Sequence, residues 1–75
     1  MEIFVVDRSG SFFKLLTEGN PYQPNCLVKV HIKNSSDNEW TYLGDTTLTE
    51  KLKSGSFIFI DGCIIQAEKI HYNTL

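Results

Sequence analysis

The stretch FIFIDGCII, residues 57–65, constrains the fold of this chain more than any other part of its sequence. Its apolar residues surround a central Asp61-Gly62 pair. Asp-Gly between apolar segments predicts a two-residue β-hairpin turn, because both turn residues must adopt a positive φ. The pairs that this turn sets are Ile60 with Cys63, Phe59 with Ile64, and Ile58 with Ile65. The sequence therefore predicts a tight terminal hairpin.

This hairpin is apolar on both of its faces, which is unusual for a strand pair with one side in water. One predicted face carries Ile58, Ile60, Cys63 and Ile65. The other face carries Phe57, Phe59 and Ile64. We expect this second face to be covered by a short helix, by the first hairpin or by another protein chain.

A second hairpin is predicted at the start of the chain, where two apolar segments flank Arg8-Ser9-Gly10. Gly10 can adopt the positive φ that such a loop requires. The predicted pairs are Ile3 with Leu15 and Val5 with Phe13 on one face, and Val6 with Phe12 on the other. A helix over residues 11–17 is the weaker alternative, because its start lacks a strong N-cap and carries two phenylalanines.

A third hairpin is predicted on either side of a polar loop at residues 34–38. Residues 27–33 alternate, with Val28, Val30 and Ile32 on one face and Lys29, His31 and Lys33 on the other. If Lys33 pairs with Glu39, then Ile32 faces Trp40 and Val30 faces Tyr42. Apolar side chains then meet aromatic rings on a shared face. This register predicts that Trp40 and Tyr42 point into the core.

Two connecting segments complete the predicted fold. Thr47 and Glu50 have the spacing of a helix capping box, which predicts one or two turns of helix over residues 47–54. An irregular, turn-rich crossover is the alternative there. Residues 18–25 contain two prolines and form a loop. Its Tyr22 is either an exposed aromatic that binds a partner or a cover for the open end of the core.

These segments predict an all-β fold in one domain spanning residues 1–75. The architecture is a small antiparallel barrel or strongly bent sheet of about six short strands, with one short helix near 47–54. The 75 residues are 41% hydrophobic, which is enough for one compact core. A domain of this size buries only about 60% of its unfolded surface, so its margin of stability is small.

The chain contains seven Lys and Arg residues but nine Asp and Glu residues. This lack of a basic excess argues against a dedicated nucleic-acid binder. A basic strand face is nevertheless predicted from Lys29, His31 and Lys33, with Lys14 near it. Barrels with basic faces and exposed aromatics can bind single strands. Because the predicted register turns both nearby aromatic side chains inward, we interpret this face as a solvated sheet surface and keep nucleic-acid binding as the alternative.

No pattern in the chain predicts catalysis, a metal site or a cofactor. His31 and His71 lack partners at metal-ligand spacing. A nucleophilic pair of Cys63 and His71 can be drawn, but isoleucines surround that cysteine, and such a thiol is inert. Cys26 and Cys63 have no CxxC motif and are expected to be reduced thiols. The protein is therefore predicted not to be an enzyme.

The remaining prediction is a cytoplasmic protein that binds other proteins. No signal-peptide pattern opens the chain, and no apolar run approaches the ~20 residues of a membrane helix. The surplus of apolar surface favours a homo-oligomer, or a small subunit, adaptor or inhibitor of a larger protein. The residues predicted to bind the partner are Tyr22, Phe57, Phe59 and Ile64.

Overall fold

The computed structural model describes residues 1–33 and 39–73, which form six antiparallel strands in a nearly closed barrel. The strands are β1 (Glu2–Asp7), β2 (Phe12–Thr17), β3 (Cys26–Lys33), β4 (Thr41–Leu48), β5 (Phe57–Ile60) and β6 (Cys63–Asn73). Their order across the sheet is β4-β3-β2-β1-β6-β5. The all-β fold and the number of strands are confirmed, whereas the loop predicted at 34–38 lies outside the described residues.

Aliphatic side chains fill the inside of the barrel. They come from alternate positions of the strands, as the period of two in a strand requires. The residues with the least exposed side chains are Ile3, Val5, Leu15, Val28, Val30 and Ile58. A barrel of so few strands has an interior just wide enough for its own side chains. The core is therefore packed with side chains, mostly aliphatic but including Phe13, and leaves no large ligand cavity among them.

The barrel closes where β4 meets β5, the two strands at the ends of the sheet order. Gly44 of β4 faces the side chain of Ile60 of β5. A Cβ atom added to Gly44 would lie 3.4 Å from Cδ1 of Ile60, and the φ of Gly44 is +145°. Both observations favour glycine at this position. The close approach of the two strands therefore depends on the missing side chain.

The first and last hairpins have the predicted registers. In the first, Ile3 faces Leu15 and Val5 faces Phe13. Its turn places Gly10 at φ 87°, and the Asp7 carboxylate accepts hydrogen bonds from the backbone N–H groups of residues 9 and 11. In the last hairpin, each predicted pair from residues 58–60 to 63–65 is present. Asp61 and Gly62 have φ values of 49° and 74°, as the predicted turn requires.

The predicted register of the third hairpin is wrong by one residue. His31 faces Tyr42 and Ile32 faces Thr41, while Val30 faces Gly44, so the register shifts at a β-bulge. Leu43 is the additional residue, and it packs against the core from a half-buried position. The shift turns the side chains of residues 40 and 42 to the face of the sheet opposite to the predicted one. Trp40 and Tyr42 lie on the outer surface instead.

The helix predicted over residues 47–54 is also wrong, and the irregular crossover is confirmed. β4 continues to Leu48 because Thr46, Thr47 and Leu48 pair with β3, which removes the predicted N-cap from its helix. The chain then crosses to β5 through a turn in which Lys53 donates its N–H to the Ser56 hydroxyl at 3.0 Å. Among the residues that the structure covers, none belongs to a helix capable of crossing a membrane.

Candidate functional site

The outer surface of β1, β2 and β3 carries lysines and aromatic rings in alternation. Strand pairing aligns these side chains in rows across the sheet. One row contains Lys69, Val6, Phe12 and Lys33. The next contains His71, Phe4, Lys14, His31 and Tyr42. We call the central part of this surface the lysine–aromatic face, made of Phe4, Phe12, Lys14, Lys29, His31, Lys33, Trp40 and Tyr42.

Trp40 lies in contact with both lysine rows of this face. The Nζ atoms of Lys14 and Lys33 are 5.0 Å and 5.6 Å from the centre of the Trp40 ring. The ring of Phe4 is 6.2 Å from it, measured between centroids, with a tilt of 46°. An ammonium group within about 6 Å of an indole is attracted to the ring electrons. These contacts fix an aromatic ring and two positive charges in one place.

A surface concavity of about 410 Å³ lies beside this tryptophan, between it and the first hairpin. The residues that line it are Phe4, Val5, Val6, Phe12, Phe13, Lys33 and Trp40. Its walls are mainly apolar, with one ammonium group at the edge. Recognition sites for small ring systems have this size and composition. A flat aromatic group with an attached anion would match these apolar walls and the ammonium group of Lys33.

Tyr42, near the start of β4, is a second aromatic position and lies two residues after Trp40. The rings of His31 and Tyr42 are 5.3 Å apart, with a tilt of 51°. The Nδ1 atom of His31 is buried and has no hydrogen-bond partner within residues 1–33 and 39–73. Tyr42 is 54% exposed, and its hydroxyl donates a hydrogen bond to the Asp45 carboxylate. That hydrogen bond raises the pKa of Tyr42 and fixes the orientation of its ring.

Charge is distributed unevenly over the barrel, although the net charge of the chain is -2. Of the six lysines in the sequence, four lie in the outer rows of the sheet: Lys14, Lys29, Lys33 and Lys69. A third row across the sheet contains Glu2, Leu16, Lys29 and Asp45 in that order. Its two carboxylates, Glu2 and Asp45, therefore flank Leu16 and Lys29. The lysine–aromatic face is consequently a positive surface on a slightly acidic protein.

A second exposed surface lies on the outside of the terminal hairpin. Phe57, Phe59 and Ile64 are 56%, 63% and 64% exposed, and we call these three side chains the apolar patch. Phe59 and Ile64 are directly opposite each other on β5 and β6. Within the described part of the chain, neither a helix nor the first hairpin covers this face. The strand order places β5 three strands from β2 in both directions, so the patch lies across the barrel from β2, whereas Asp45, the hydrogen-bond partner of Tyr42, lines a concavity with Phe59.

Tyr22 closes one end of the barrel with half of its surface still exposed. Its ring stacks on that of Tyr72 with 5.2 Å between centroids, and the Nζ atom of Lys51 lies 4.8 Å from its centre. The hydroxyl of Tyr72 donates a hydrogen bond to the carbonyl of Leu52 at 3.1 Å. Partial burial is the main cause that raises the pKa of Tyr72. These contacts give Tyr22 a structural role, whether or not it also meets a partner.

The sequence located some of these residues and missed others. Lys14 and His31 are direct cross-strand partners, and Lys29 and Lys33 follow on the same face, as predicted. The exposed aromatics of that face were missed. The available clue was the first hairpin, whose register turns Phe4 and Phe12 away from the core. Their pairs across the sheet are Phe4 with Lys14 and Phe12 with Lys33.

The residues considered for catalysis do not come together. Cys63 and His71 are at opposite ends of β6, roughly 27 Å apart at 3.3–3.4 Å per residue. Cys26 is buried, Cys63 is exposed, and both are free thiols. In the portion of the chain with described coordinates, no three His, Cys, Asp or Glu side chains are grouped so that they could hold a metal ion.

The fold defines this chain as a small antiparallel β-barrel, and its outer surface has two features suited to binding. Comparison of the chain with protein-family models, with curated proteins and with solved structures finds no match in any of the three. Function has to be inferred from the two surfaces themselves.

Proposed function

We propose that the protein binds single-stranded nucleic acid through the lysine–aromatic face. The observation that carries this proposal is the outward position of Trp40, between the ammonium groups of Lys14 and Lys33. Single-strand binders combine positive charge along the phosphate backbone with aromatic rings on which bases stack. Lysines and aromatic rings occur together on this surface, within one or two residues of each other along the strands.

The corrected register is the reason to prefer this function over the one favoured by the sequence. Nucleic-acid binding ranked second there because Trp40 and Tyr42 were expected inside the core. With both rings outside, the basic strand face gains two aromatic positions next to it. The overall charge of -2 does not oppose this proposal, because the lysines are concentrated on one side and phosphates respond to the local potential.

The aromatic rings favour a single strand over a duplex as the ligand. Bases in a duplex are already stacked and cannot lie on a protein ring without being unpaired, which costs several kcal/mol. In a single strand the bases are free to stack on Phe4, Trp40 or Tyr42. Each base stacked on an aromatic side chain contributes about 1–3 kcal/mol. Ring stacking therefore selects single strands, while the lysines supply affinity without regard to sequence.

Fluorescence anisotropy of a labelled dT12 oligonucleotide tests this function. Titration with the protein at 50 mM salt should give saturable binding. An unlabelled single strand should compete well, whereas a duplex of the same length should compete poorly. Inorganic polyphosphate separates charge from stacking, because it offers phosphates without bases. If polyphosphate competes as well as the single strand, the aromatic rings have no role in binding. If the anisotropy of the labelled oligonucleotide does not change with added protein, the proposal is wrong.

Matched variants locate the binding surface in the same assay. Trp40→Ala removes the central ring and should weaken binding by roughly 5- to 150-fold, the equivalent of one lost stacking contact. Phe59→Thr removes an exposed ring of β5 that lies outside the lysine–aromatic face and should leave the affinity unchanged. Equal losses in both variants would contradict the assignment of this face.

A second candidate function is the interaction module predicted from the sequence, which acts as a subunit, adaptor or inhibitor of another protein. The exposed apolar patch supports it, since Phe57, Phe59 and Ile64 together leave three large apolar side chains in water. Tyr22 supports it less, because its ring is engaged with Tyr72. Binding of a protein through this patch should be lost with Phe59→Thr and kept with Trp40→Ala. The cytoplasmic location and the lack of enzymatic activity stay predictions from the sequence.

A further inference from the structure

The concavity beside Trp40 is lined by hydrogen-bond donors and hydrocarbon. Lys33 and Trp40 are its two polar side chains, and its other lining residues are phenylalanines and valines. A lysine ammonium has three donors and an indole has one, but neither has an acceptor. Among the residues that the structure describes, the side chains around this concavity therefore offer no hydrogen-bond acceptor to a ligand.

The hydrocarbon on the outer face of the concavity comes from the first hairpin. Val6 and Phe12 are direct cross-strand partners, and Phe12 is 42% exposed. Phe4 lies two residues before Val6 on the same face of β1, and its ring is the one that contacts Trp40. A base that stacks on Trp40 would therefore have methyl groups and ring carbons of the protein at its edge.

The four bases differ in how well their edges suit such walls. Thymine has the O4 acceptor beside the C5-methyl group, whereas cytosine has an amino donor in place of O4 and lacks the methyl. Adenine also presents an amino donor, and guanine presents acceptors without a methyl. An amino group that is buried without an acceptor loses free energy, whereas a methyl group gains free energy from apolar contact. Thymine is the base that combines an acceptor with a methyl group.

We infer that this concavity selects thymine, so that the preferred ligand is thymine-containing single-stranded DNA. The inference rests on the proposed function, since it names the base that enters the site at Trp40. The ammonium groups of Lys14 and Lys33 beside the ring complement the phosphates of the bound strand. RNA is the poorer ligand, because its uracil has no C5-methyl group to contact Val6 or Phe12.

Four deoxyoligonucleotides of equal length and charge separate the two features of the base. They are the dodecamers of thymine, uracil, cytosine and 5-methylcytosine, each used to compete with labelled dT12 in the anisotropy assay. Thymine differs from uracil only in the methyl group, so its strand should bind about fourfold more tightly. Uracil has a carbonyl where cytosine has an amino group, so its strand should bind about fivefold more tightly than the cytosine strand. Methylation of cytosine should recover the fourfold gain.

Two matched variants locate the selection in the concavity. Lys33→Gln and Lys29→Gln each remove one positive charge from the lysine–aromatic face, but only Lys33 lines the concavity. Glutamine also brings an amide carbonyl that can accept a hydrogen bond from an amino group. Lys33→Gln should therefore reduce the preference for uracil over cytosine to near one. Lys29→Gln should weaken binding of all four strands alike and keep their ratios, and equal effects of the two variants on the ratios would overturn the inference.

The results that overturn this inference differ from those that overturn the proposed function. Equal affinities for the thymine and cytosine strands would mean that the concavity selects no base, while binding of single strands would stand. Equal affinities for the thymine and uracil strands would remove the preference for DNA. If none of the four strands binds, the proposed function is wrong and the inference falls with it.

Discussion

The ammonium nitrogen of Lys14 lies 5.0 Å from the centre of the Trp40 ring. This pair joins β2 to the segment before β4 across the outside of the barrel, over the top of β3. The indole lies on the outer face of the barrel in a half-buried position and also contacts the ring of Phe4, so part of it is exposed to solvent. The position of this one ring changes both the expected stability of the domain and its expected function.

We first predict that Trp40→Ala leaves the barrel folded. Loss of an exposed cation–π contact and of partial packing should reduce the free energy of unfolding by about 1 kcal/mol. Leu15→Ala is the comparison, because Leu15 is fully buried and its truncation should cost about 2–5 kcal/mol. Urea unfolding followed by circular dichroism measures both values. Equal losses in the two variants would place the indole in the core.

The two hairpins with correctly predicted registers share a physical property. Their turns are specified by the residues inside them, Gly10 in the first and Asp61-Gly62 in the last, and these residues require particular φ values wherever they occur. Once the two turn residues are known, the residues on either side of them pair in order, so the register of the two strands is determined. Local chemistry therefore determined the registers of these two hairpins, including the residues on each face of β1, β2 and β5 and of residues 63–65 in β6.

The third hairpin depends on contacts that no local pattern contains. Leu43 forms a bulge next to Gly44, and the backbone at Gly44 adapts to Ile60, a residue far away in sequence. Moving Trp40 from the inside to the outside changes its position in the register by only one residue. The sequence favoured the inside because pairing Lys33 with Glu39 sets Trp40 and Tyr42 opposite apolar residues on a shared face.

The predicted helix and the candidate site also depend on strand pairing between residues that are distant in sequence. Thr47 and Glu50 satisfy the helix rule, but pairing of Thr47 with Leu27 across the sheet extends β4 through that position. Long-range strand pairing overrode a local capping signal. For the site, strand alternation was sufficient to place Lys29, His31 and Lys33 on one face. The aromatic half of the site needed the correct register and was missed.

Closure of the barrel at Gly44 leads to a second prediction. Gly44→Ala adds a methyl group 3.4 Å from Cδ1 of Ile60 and strains a backbone with φ +145°. Gly10→Ala is the matched control, because its φ is +87° but nothing lies within 4 Å of the added atom. We expect Gly10→Ala to lower the free energy of unfolding by about 1–2 kcal/mol and Gly44→Ala to lower it further. Urea denaturation of both variants tests this, and a smaller loss for Gly44→Ala would contradict close packing of β4 on β5.

A third prediction concerns the salt dependence of oligonucleotide binding. Contact of Lys14, Lys29 and Lys33 with three phosphates should give a slope of log K against log salt of about -2 for a single strand. Lys33→Gln should reduce the magnitude of that slope by roughly 0.7, since one phosphate contact is removed. Lys53→Gln changes the same charge in the crossover, away from the face, and should leave the slope unchanged. Anisotropy titrations from 50 to 300 mM salt give the slopes, and equal effects of the two substitutions would refute a localised phosphate site.

A fourth prediction follows from the raised pKa of Tyr72. Because the folded state favours the protonated hydroxyl, the stability that this group contributes is fully present below its unfolded pKa of about 10. It is lost as the pH rises through the higher folded value. At pH 8, Tyr72→Phe should lower the free energy of unfolding by about 1 kcal/mol through loss of the hydrogen bond to Leu52.

Urea unfolding of the wild type and of Tyr72→Phe between pH 8 and pH 11 measures this difference. The difference should shrink as the pH rises above 10, since the wild type alone loses the contribution of the neutral hydroxyl. A difference that stays constant, or that grows with pH, would contradict the sign of the shift.

The intrinsic fluorescence of Trp40 is the most direct measure of the central claim, because it is the only tryptophan in the chain and lies in the proposed site. Titration with an unlabelled single-stranded oligonucleotide at 50 mM salt should quench its emission to a plateau, as bases stack on the indole. The quenching should reverse as salt is added. Emission that stays unchanged while the oligonucleotide binds would mean that no base meets this ring, and the proposed site would be wrong.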